Sequence, residues 1–228
     1  MGEEYNRRQA ISVRLNITTE GQTEERFIND ILCPHLAQFN VFTSVRRLRT
    51  SKTHRGGYTN FERAKFDIAQ WLKEDATAWH TTLIDLYGLK DDFPGYKNAK
   101  HLLDAMQKVN AIEQAFSQEI AHHRFIPYIQ LHEFEALLFS APDIMEKWCS
   151  LDSYLPLNCF GAIRQQFATP ELINDSPITA PSKRILSLHP GYNKVIDAKL
   201  IAEEIGLAKI REECPHFNNW LSKLEGLK

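Results

Sequence analysis

Acidic residues stand at the ends of three segments that have the apolar pattern of β-strands. Glu20 follows residues 11–19, Asp85 follows residues 81–84, and Glu133 follows residues 125–132. In an open α/β sheet, functional sites collect at the carboxyl ends of the strands. Carboxylates brought together there repel one another unless a cation neutralises them. The pattern therefore predicts a divalent-metal site, most simply for Mg²⁺ or Mn²⁺.

Two further acids could share the same ion. Glu24 lies one helical turn after Glu20, with the turn-forming Gly21 between them. Glu135 would face the same way as Glu133 if the chain were extended there. Each has an alternative interpretation: Glu24 could simply complement the dipole of the helix it begins, and Glu135 could begin a helix of its own. Both are kept as candidate metal ligands.

The loop after Asp85 is rich in glycine and acidic residues. Asp85 itself ends an apolar strand, where an acid is costly without a partner, and this favours a functional role. Asp91 is expected to be a solvated turn residue, whereas Asp92 is left open between a turn residue and a ligand.

Cations are concentrated in residues 46–55, before a glycine pair that permits close approach of the backbone. Such a stretch can hold phosphates, and a solvated strand edge is the alternative. We expect four of its side chains to position a nucleic-acid backbone: Arg47, Arg49, Lys52 and Arg55. A second basic pair, Lys183 and Arg184, either reaches phosphate or forms the exposed start of a helix.

Composition limits the class of protein. The 228 residues are 43% hydrophobic and 25% charged, which is typical of a globular protein with one substantial core. A net charge of −2 argues against a general nucleic-acid coat. We expect a cytoplasmic protein without membrane contact, because no long apolar run or signal peptide is visible and the cysteines are widely spaced. There is no phosphate-loop motif, so the chain is not itself a P-loop ATPase.

Hydrophobic periodicity predicts strands over residues 11–19, 41–48, 81–84 and 125–131, and helices over residues 23–38, 61–73 and 98–120. This alternation predicts an α/β fold with a mostly parallel four-stranded sheet flanked by helices. Prolines interrupt short helical stretches after Ser140. We therefore predict that residues 141–228 form a helical extension packed on a metal-binding core of residues 1–140.

These residues resemble the Toprim superfamily, the catalytic fold of topoisomerases, primases, certain ribonucleases and OLD-type nucleases. Glu20-Gly21 is similar to the superfamily's first acid and glycine, Glu24 resembles the second acid of OLD-like members, and Asp85 resembles the first residue of an Asp-x-Asp pair. Tyr87 stands where the second aspartate is expected. The resemblance implies that metal binding is weaker or that a nearby acid compensates: Asp91, Asp92, Glu133 or Glu135.

Residues 18–221 are also similar to a bacterial Toprim-like family catalogued as domain of unknown function 4276. The similarity is carried by TEGQTEERFI, HRGGY, DLYGLKDDFPG, LHEFEALLF, APSKRILSLHPGYNK and CPHFNNWL. Members look like partners of ATPases encoded beside them, often in anti-phage settings. The similarity therefore implies a separately encoded ATPase partner and a role in antiviral defence.

The first hypothesis is a Mg²⁺-dependent nuclease that hydrolyses DNA or RNA, with Glu20 and Asp85 catalytic. Its metal ligands would be Glu20, Glu24, Asp85, Glu133 and Glu135. The alternative is a catalytically degenerate Toprim module that binds and regulates an ATPase or nucleic acid, which Tyr87 favours. A third option is phosphotransfer or nucleotidyl transfer at the same site. The substrate, the number of metal ions and a homo-oligomeric state are left open.

Overall fold

A parallel sheet forms the centre of the fold. The structure, a computed structural model, describes residues 12–49, 57–150, 154–174, 176 and 178–228. Within them the strands are β1 Val13–Thr19, β2 Val41–Arg47, β3 Trp79–Asp85, β4 Phe125–Ile126 and β5 Ile129–Gln130. Their order is β2-β1-β3-β4, β5 also pairs with β3, and the pairs are parallel. The predicted α/β fold with a parallel sheet flanked by helices is confirmed.

The prediction of one fourth strand over residues 125–131 was wrong. Pro127 separates β4 from β5, because proline has no N–H to donate to a neighbouring strand. The side chain of Thr82 in β3 fills the gap, since its hydroxyl donates to the carbonyl of Tyr128 at 2.9 Å and accepts from the Tyr128 amide at 3.0 Å. In the described part of the chain, the sheet accordingly has five strands rather than four.

Helices connect the strands and cover both faces of the sheet. The first connection consists of α1 Gln22–Phe27, a π-helical turn Ile28–Leu32 and α2 Cys33–Ala37, and the second is α3 Phe61–Glu74. The third was predicted as one helix over residues 98–120 and is instead two, α4 Tyr96–Ala99 and α5 Ala105–Ile120. The break follows from Asp104, whose carboxylate accepts from the Gln107 amide at 2.8 Å and so starts a new helix.

Short helices make up the remainder of the described chain. A 3₁₀ turn Phe134–Ser140 is followed by α6 Pro142–Cys149, α7 Cys159–Arg164, a 3₁₀ turn Pro170–Leu172, α8 Pro181–Leu188, α9 Lys194–Ile205, α10 Leu207–Glu213 and α11 Pro215–Glu225. Proline is the first residue of three of these helices, α6, α8 and α11. Its fixed φ and missing donor suit this position.

Two hydrophobic clusters lie on opposite faces of the sheet, because successive strand side chains point to opposite sides. One cluster joins β1 to α1, α2 and the C-terminal helices, and it includes Leu15, Ile17, Phe27 and Phe217. The other joins β3 to α3 and α5, and it includes Ile68, Ile84, Ile112 and Phe116. The C-terminal helices therefore share a core with the strand that precedes Glu20.

In the described part of the chain, none of the helices has the length and apolar character needed to cross a membrane. All four cysteines are free thiols.

Candidate metal centre

Glu20 leaves the end of β1 beside β3. Its backbone N–H donates to the Leu83 carbonyl at 3.2 Å, which holds the two strand ends together. Its Oε1 accepts from the Tyr58 backbone N–H at 3.3 Å. Its Oε2 is inaccessible to solvent and has no hydrogen-bond partner among the described residues. Burial, and next to it the charge of Glu24, raises the pKa of Glu20. Among the described residues, one oxygen of this carboxylate thus has a hydrogen-bond donor and the other has none.

Asp85 is the last residue of β3 and lies in the same acidic environment. Burial raises its pKa well above the ordinary value, and the neighbouring charges of Glu24, Glu20 and Glu135 raise it further. Its Oδ1 is inaccessible and finds no hydrogen-bond donor in the described ranges of the chain. An ionised carboxylate in this position is costly unless a cation compensates it.

Glu24 is the third residue of α1, and its side chain points back at the start of that helix. Its Oε2 accepts from the Gly21 N–H at 2.8 Å, which satisfies one of the free amides of the first turn. The helix-start role therefore accounts for one oxygen of this side chain. Burial raises the pKa of Glu24, and the nearby charge of Glu133 also raises it. The side chain consequently belongs both to the helix start and to the acidic cluster.

Glu133 and Glu135 follow β5 on a sharply turned backbone. His132 adopts φ 61°, and Phe134–Ser140 is a 3₁₀ turn with Glu135 near its start, so the alternative in which Glu135 begins a helical segment applies rather than an extended pair. Glu133 Oε2 accepts from the Ser182 N–H at 2.9 Å, at the start of α8. Glu135 is fully buried, and burial raises its pKa to about 7. Both acids reach the cluster by this turn rather than by strand alternation.

Lys194 is the residue of this site that sequence reasoning missed. It is the first residue of α9, placed by Asn193, whose side chain accepts from the amides of Val195 and Ile196. Its Nζ lies 3.1 Å from Glu135 Oε1. Although burial opposes the charged form, the carboxylates of Glu135, Glu133 and Asp85 raise the pKa of Lys194. The available signal was its place in the segment APSKRILSLHPGYNK, but nothing in that segment links it to the strand ends.

Within the described residues, the cluster holds more carboxyl groups than cations. Electrostatic interactions there join five carboxyl groups to one ammonium group, that of Lys194: Glu20, Glu24, Asp85, Glu133 and Glu135. These oxygen donors fit a hard divalent cation in charge and chemistry. Among the described residues, however, no three His, Cys, Asp or Glu side chains are already arranged to hold one. Binding a cation would therefore require some of these side chains to rotate.

The other acids near Asp85 are engaged elsewhere. Asp91 pairs with Lys100, with Nζ 2.6 Å from Oδ1. Asp92 accepts from the Tyr58 hydroxyl at 3.2 Å and from the Phe61 amide at 2.7 Å, so it holds the start of α3. Tyr87 is 39% exposed. Of the acids that could compensate for Tyr87, Glu133 and Glu135 are the two placed in the cluster.

The candidate phosphate-binding cations lie at two places. Arg47 Nε is 2.9 Å from Glu25 Oε2, and the Arg49 backbone N–H donates to Asp67 at 2.8 Å. Lys52 and Arg55 lie outside the described residues. Lys183 is exposed on α8, and Arg184 donates to the Thr179 carbonyl at 2.6 Å and lies over the Phe167 ring. Their contact with nucleic acid stays a prediction.

Gly88 is expected to be intolerant of a side chain, because the Glu20 carboxylate occupies the space beside its Cα. A Cβ at this position would lie 2.8 Å from Glu20 Oε1 and 3.0 Å from Oε2. Gly88→Ala should displace the carboxylate and weaken Mg²⁺ binding about 10–100-fold, the usual cost of disturbing a ligand's support. Calorimetric titration with Mg²⁺ checks this. Gly226→Ala is the matched control, since its Cβ would make only ordinary contacts of 3.5 and 3.7 Å. Equal Mg²⁺ affinity in both variants would contradict the assignment of Glu20.

The fold resembles solved structures of low sequence identity. The C-terminal region of the Burkholderia pseudomallei OLD protein is 15% identical, with a TM-score of 0.47 over 94% of this chain and 98% of that chain. The C-terminal region of the Xanthomonas campestris pv. campestris OLD protein, phased with mercury, is 17% identical, with a TM-score of 0.40 over 92% and 97% of the two chains. No curated protein matches this chain. A family model described as "Domain of unknown function (DUF4276)" matches residues 19–225, and the chain belongs to that family.

Proposed function

We propose that this protein is a divalent-metal-dependent nuclease, of Toprim type, that hydrolyses phosphodiester bonds of DNA or RNA. The observation that carries the proposal is the cluster of buried carboxyl groups at the carboxyl edge of the sheet, which outnumber the cations beside them among the described residues. Glu20 Oε2 and Asp85 Oδ1 are inaccessible and lack a donor within the described chain, and burial raises the pKa of both groups. Perturbed carboxylates of this kind are typical of functional sites.

Each side chain would have a distinct task. Glu20 and Asp85, with one oxygen each unpartnered, would be the principal ligands of Mg²⁺ or Mn²⁺, and Glu24 and Glu133 would each offer the oxygen that is not engaged with a backbone amide. The bound ion would polarise the scissile phosphate and lower the pKa of a water nucleophile. Lys194 would hold Glu135 in place and limit the repulsion within the cluster.

The nuclease proposal is tested by cleavage assays on DNA, RNA and tRNA with Mg²⁺ or Mn²⁺, with and without the proposed ATPase partner. Glu20→Gln keeps the size of the side chain and removes its charge, so it should lower cleavage by about 10³-fold or more, since metal stabilisation of the transition state is worth several kcal/mol. Glu119→Gln is the matched control, because Glu119 pairs with Lys65 on the exposed side of α5. Wild-type cleavage rates in Glu20→Gln would overturn the proposal.

A second candidate function is a non-catalytic module that binds and regulates the ATPase. Two observations favour it: Tyr87 stands exposed where a second aspartate is expected, and Lys194 already supplies a positive charge inside the cluster. This candidate expects association with the ATPase that is independent of Mg²⁺ and unchanged in Glu20→Gln. Co-purification of the two proteins in EDTA, together with the cleavage assays, separates the two candidates. An antiviral role, which the family resemblance implies, is part of the proposal for either function.

A further inference from the structure

A groove runs along the surface between the end of β2 and α3, outside the acidic cluster. It consists of two adjoining hollows of about 360 and 480 Å³. Arg49, Phe66 and Asp67 line both hollows, so the two are continuous. We call this feature the α3 groove. Its lining includes four arginines and the exposed ring of Phe66, and neither the metal site nor the hydrophobic core accounts for these side chains.

Phe66 is the aromatic residue at the centre of the α3 groove. It is 57% exposed, on the side of α3 opposite the buried residues Phe61, Ile68 and Trp71. Single exposed aromatic residues are common on protein surfaces and need no explanation by themselves. Phe66 differs because it lies between the two hollows with arginines beside it. Arg63 precedes it by three residues and therefore shares its face of the helix.

Among the described residues, four arginines line the α3 groove, against three carboxylates: Arg46, Arg47, Arg49 and Arg63 against Glu62, Asp67 and Glu74. Two of the ion pairs on its surface are weakly held. Arg46 is 2.7 Å from Glu74, with both side chains exposed, and Arg49 Nε is 4.0 Å from Asp67 Oδ1. Exposed pairs of this kind contribute little, so a phosphate can replace the carboxylate. The planar guanidinium group binds phosphate oxygens in pairs and also stacks on aromatic rings, as Arg46 does over Trp71 at 4.3 Å.

Two backbone contacts place the α3 groove close to the acidic cluster. In the register of β1 and β2, Arg47 is the strand partner of Thr19, the residue before Glu20. At the start of α3, the Tyr58 amide donates to the Glu20 carboxylate at 3.3 Å, two residues before the helix cap Asn60. At a rise of 1.5 Å per residue, Phe66 lies only about 9 Å along the helix axis from Asn60.

We propose that the α3 groove binds single-stranded nucleic acid, with a base stacked on Phe66 and the phosphates held by Arg49, Arg63 and Arg46. The inference rests on the proposed nuclease function and gives its substrate class. An exposed aromatic ring surrounded by cations suits unpaired bases, because stacking tolerates any base and cations follow the backbone. A duplex offers no free base face at such a site. The groove would deliver one strand to the carboxyl edge of the sheet.

The test is fluorescence anisotropy with labelled oligothymidine, an abasic strand of the same length and a duplex, all in EDTA so that no metal or cleavage contributes. The wild type should bind oligothymidine more tightly than the other two. Phe66→Ala should weaken oligothymidine binding about 10-fold and leave abasic binding unchanged, and Phe66→Trp should retain tight binding. Phe42→Ala is the matched control: Phe42 is 51% exposed on β2 and does not line either hollow.

Each outcome decides the proposal. Equal affinity of the wild type for oligothymidine and the abasic strand, tighter binding of the duplex, or unchanged binding in a folded Phe66→Ala would overturn it. Circular dichroism shows whether each variant is folded. If Phe66→Ala does not fold, Phe66→Trp tests the stacking role instead. Glu20→Gln should bind the strand normally. If the wild type prefers the strand that carries bases but cleaves nothing, the groove proposal stands and the nuclease proposal fails. If the wild type cleaves nucleic acid but lacks that preference, only the groove proposal fails.

Discussion

Asp85→Asn should reduce Mg²⁺-dependent cleavage by about 10³-fold or more and should raise the melting temperature measured in EDTA. The loss of activity is expected because a neutral amide cannot replace a carboxylate as a ligand and charge partner of a hard cation. The gain in stability is expected because burial and the charges of Glu24 and Glu20 raise the pKa of Asp85, so its ionisation opposes folding. The gain should grow as the pH rises, because the raised pKa of Asp85 favours its neutral form at lower pH.

The size of the stability effect follows from the pKa of Asp85, since each unit by which folding raises it costs about 1.4 kcal/mol in the ionised form. For a chain of this length, each kcal/mol shifts the melting temperature by roughly 2–4 °C. Asp91→Asn is the matched control, since Asp91 lies in the same loop and pairs with exposed Lys100. Two results would contradict a metal site at the end of β3. One is loss of cleavage in Asp91→Asn, and the other is full activity with an unchanged melting temperature in Asp85→Asn.

Lys194→Met should destabilise the protein by about 3 kcal/mol at pH 8. The substitution keeps much of the side-chain volume but leaves the fully buried Glu135 carboxylate without its cation. Breaking a buried ion pair by removing one partner is strongly destabilising; we use the low end of the usual 3–5 kcal/mol because the Lys194 side chain is 43% exposed. Chemical denaturation of the wild type and the variant measures the difference.

The effect of Lys194→Met should depend on pH in a defined direction. The pKa of Glu135 is raised to about 7 in the folded wild type. The folded state holds the proton of Glu135 more tightly than the unfolded state does. Protonation of Glu135 therefore stabilises the fold below the pKa of the unfolded state, and this stabilisation is lost as the pH rises towards 7. Removing Lys194 raises that pKa further. The destabilisation should therefore be small at pH 5 and large at pH 8.

The double variant Lys194→Met/Glu135→Gln provides the control for this interpretation. It removes both charges, so it should recover most of the stability lost in Lys194→Met and should lose the pH dependence. If the double variant is as unstable as the single variant at pH 8, Lys194 stabilises the protein through packing rather than through charge.

The parts of the fold that sequence could predict are those governed by local pattern. The alternation of residues 11–17 identified β1, and the acids Glu20 and Asp85 followed from the strand ends. The helix α3 was predicted to within one residue of its end, because its buried residues recur with helical spacing. Errors arose where a single residue overrides the pattern. Pro127 divides a strand, and Asp104 starts a new helix inside an apolar stripe.

The remainder of the site depends on contacts between distant segments. Lys194 meets Glu135 across 59 residues of sequence, and the position of a lysine at the start of a helix carries no local sign of a buried partner. The turn that brings Glu135 inward depends on positive φ at His132, which strand alternation does not reveal. The proximity of Gly88 to Glu20 is a packing fact of the same kind. Such residues are found only once the three-dimensional arrangement is known.

Anomalous diffraction from a crystal soaked in Mn²⁺ tests the central claim most directly. We expect a peak within about 2.0–2.6 Å of carboxylate oxygens of both Glu20 and Asp85, the bonding range of oxygen ligands to divalent cations. The same soak of Glu20→Gln should give a weaker peak or none. An anomalous map of the wild type without a peak at these two residues, with Lys194 still paired to Glu135, would contradict the metal site and leave the regulatory module as the function.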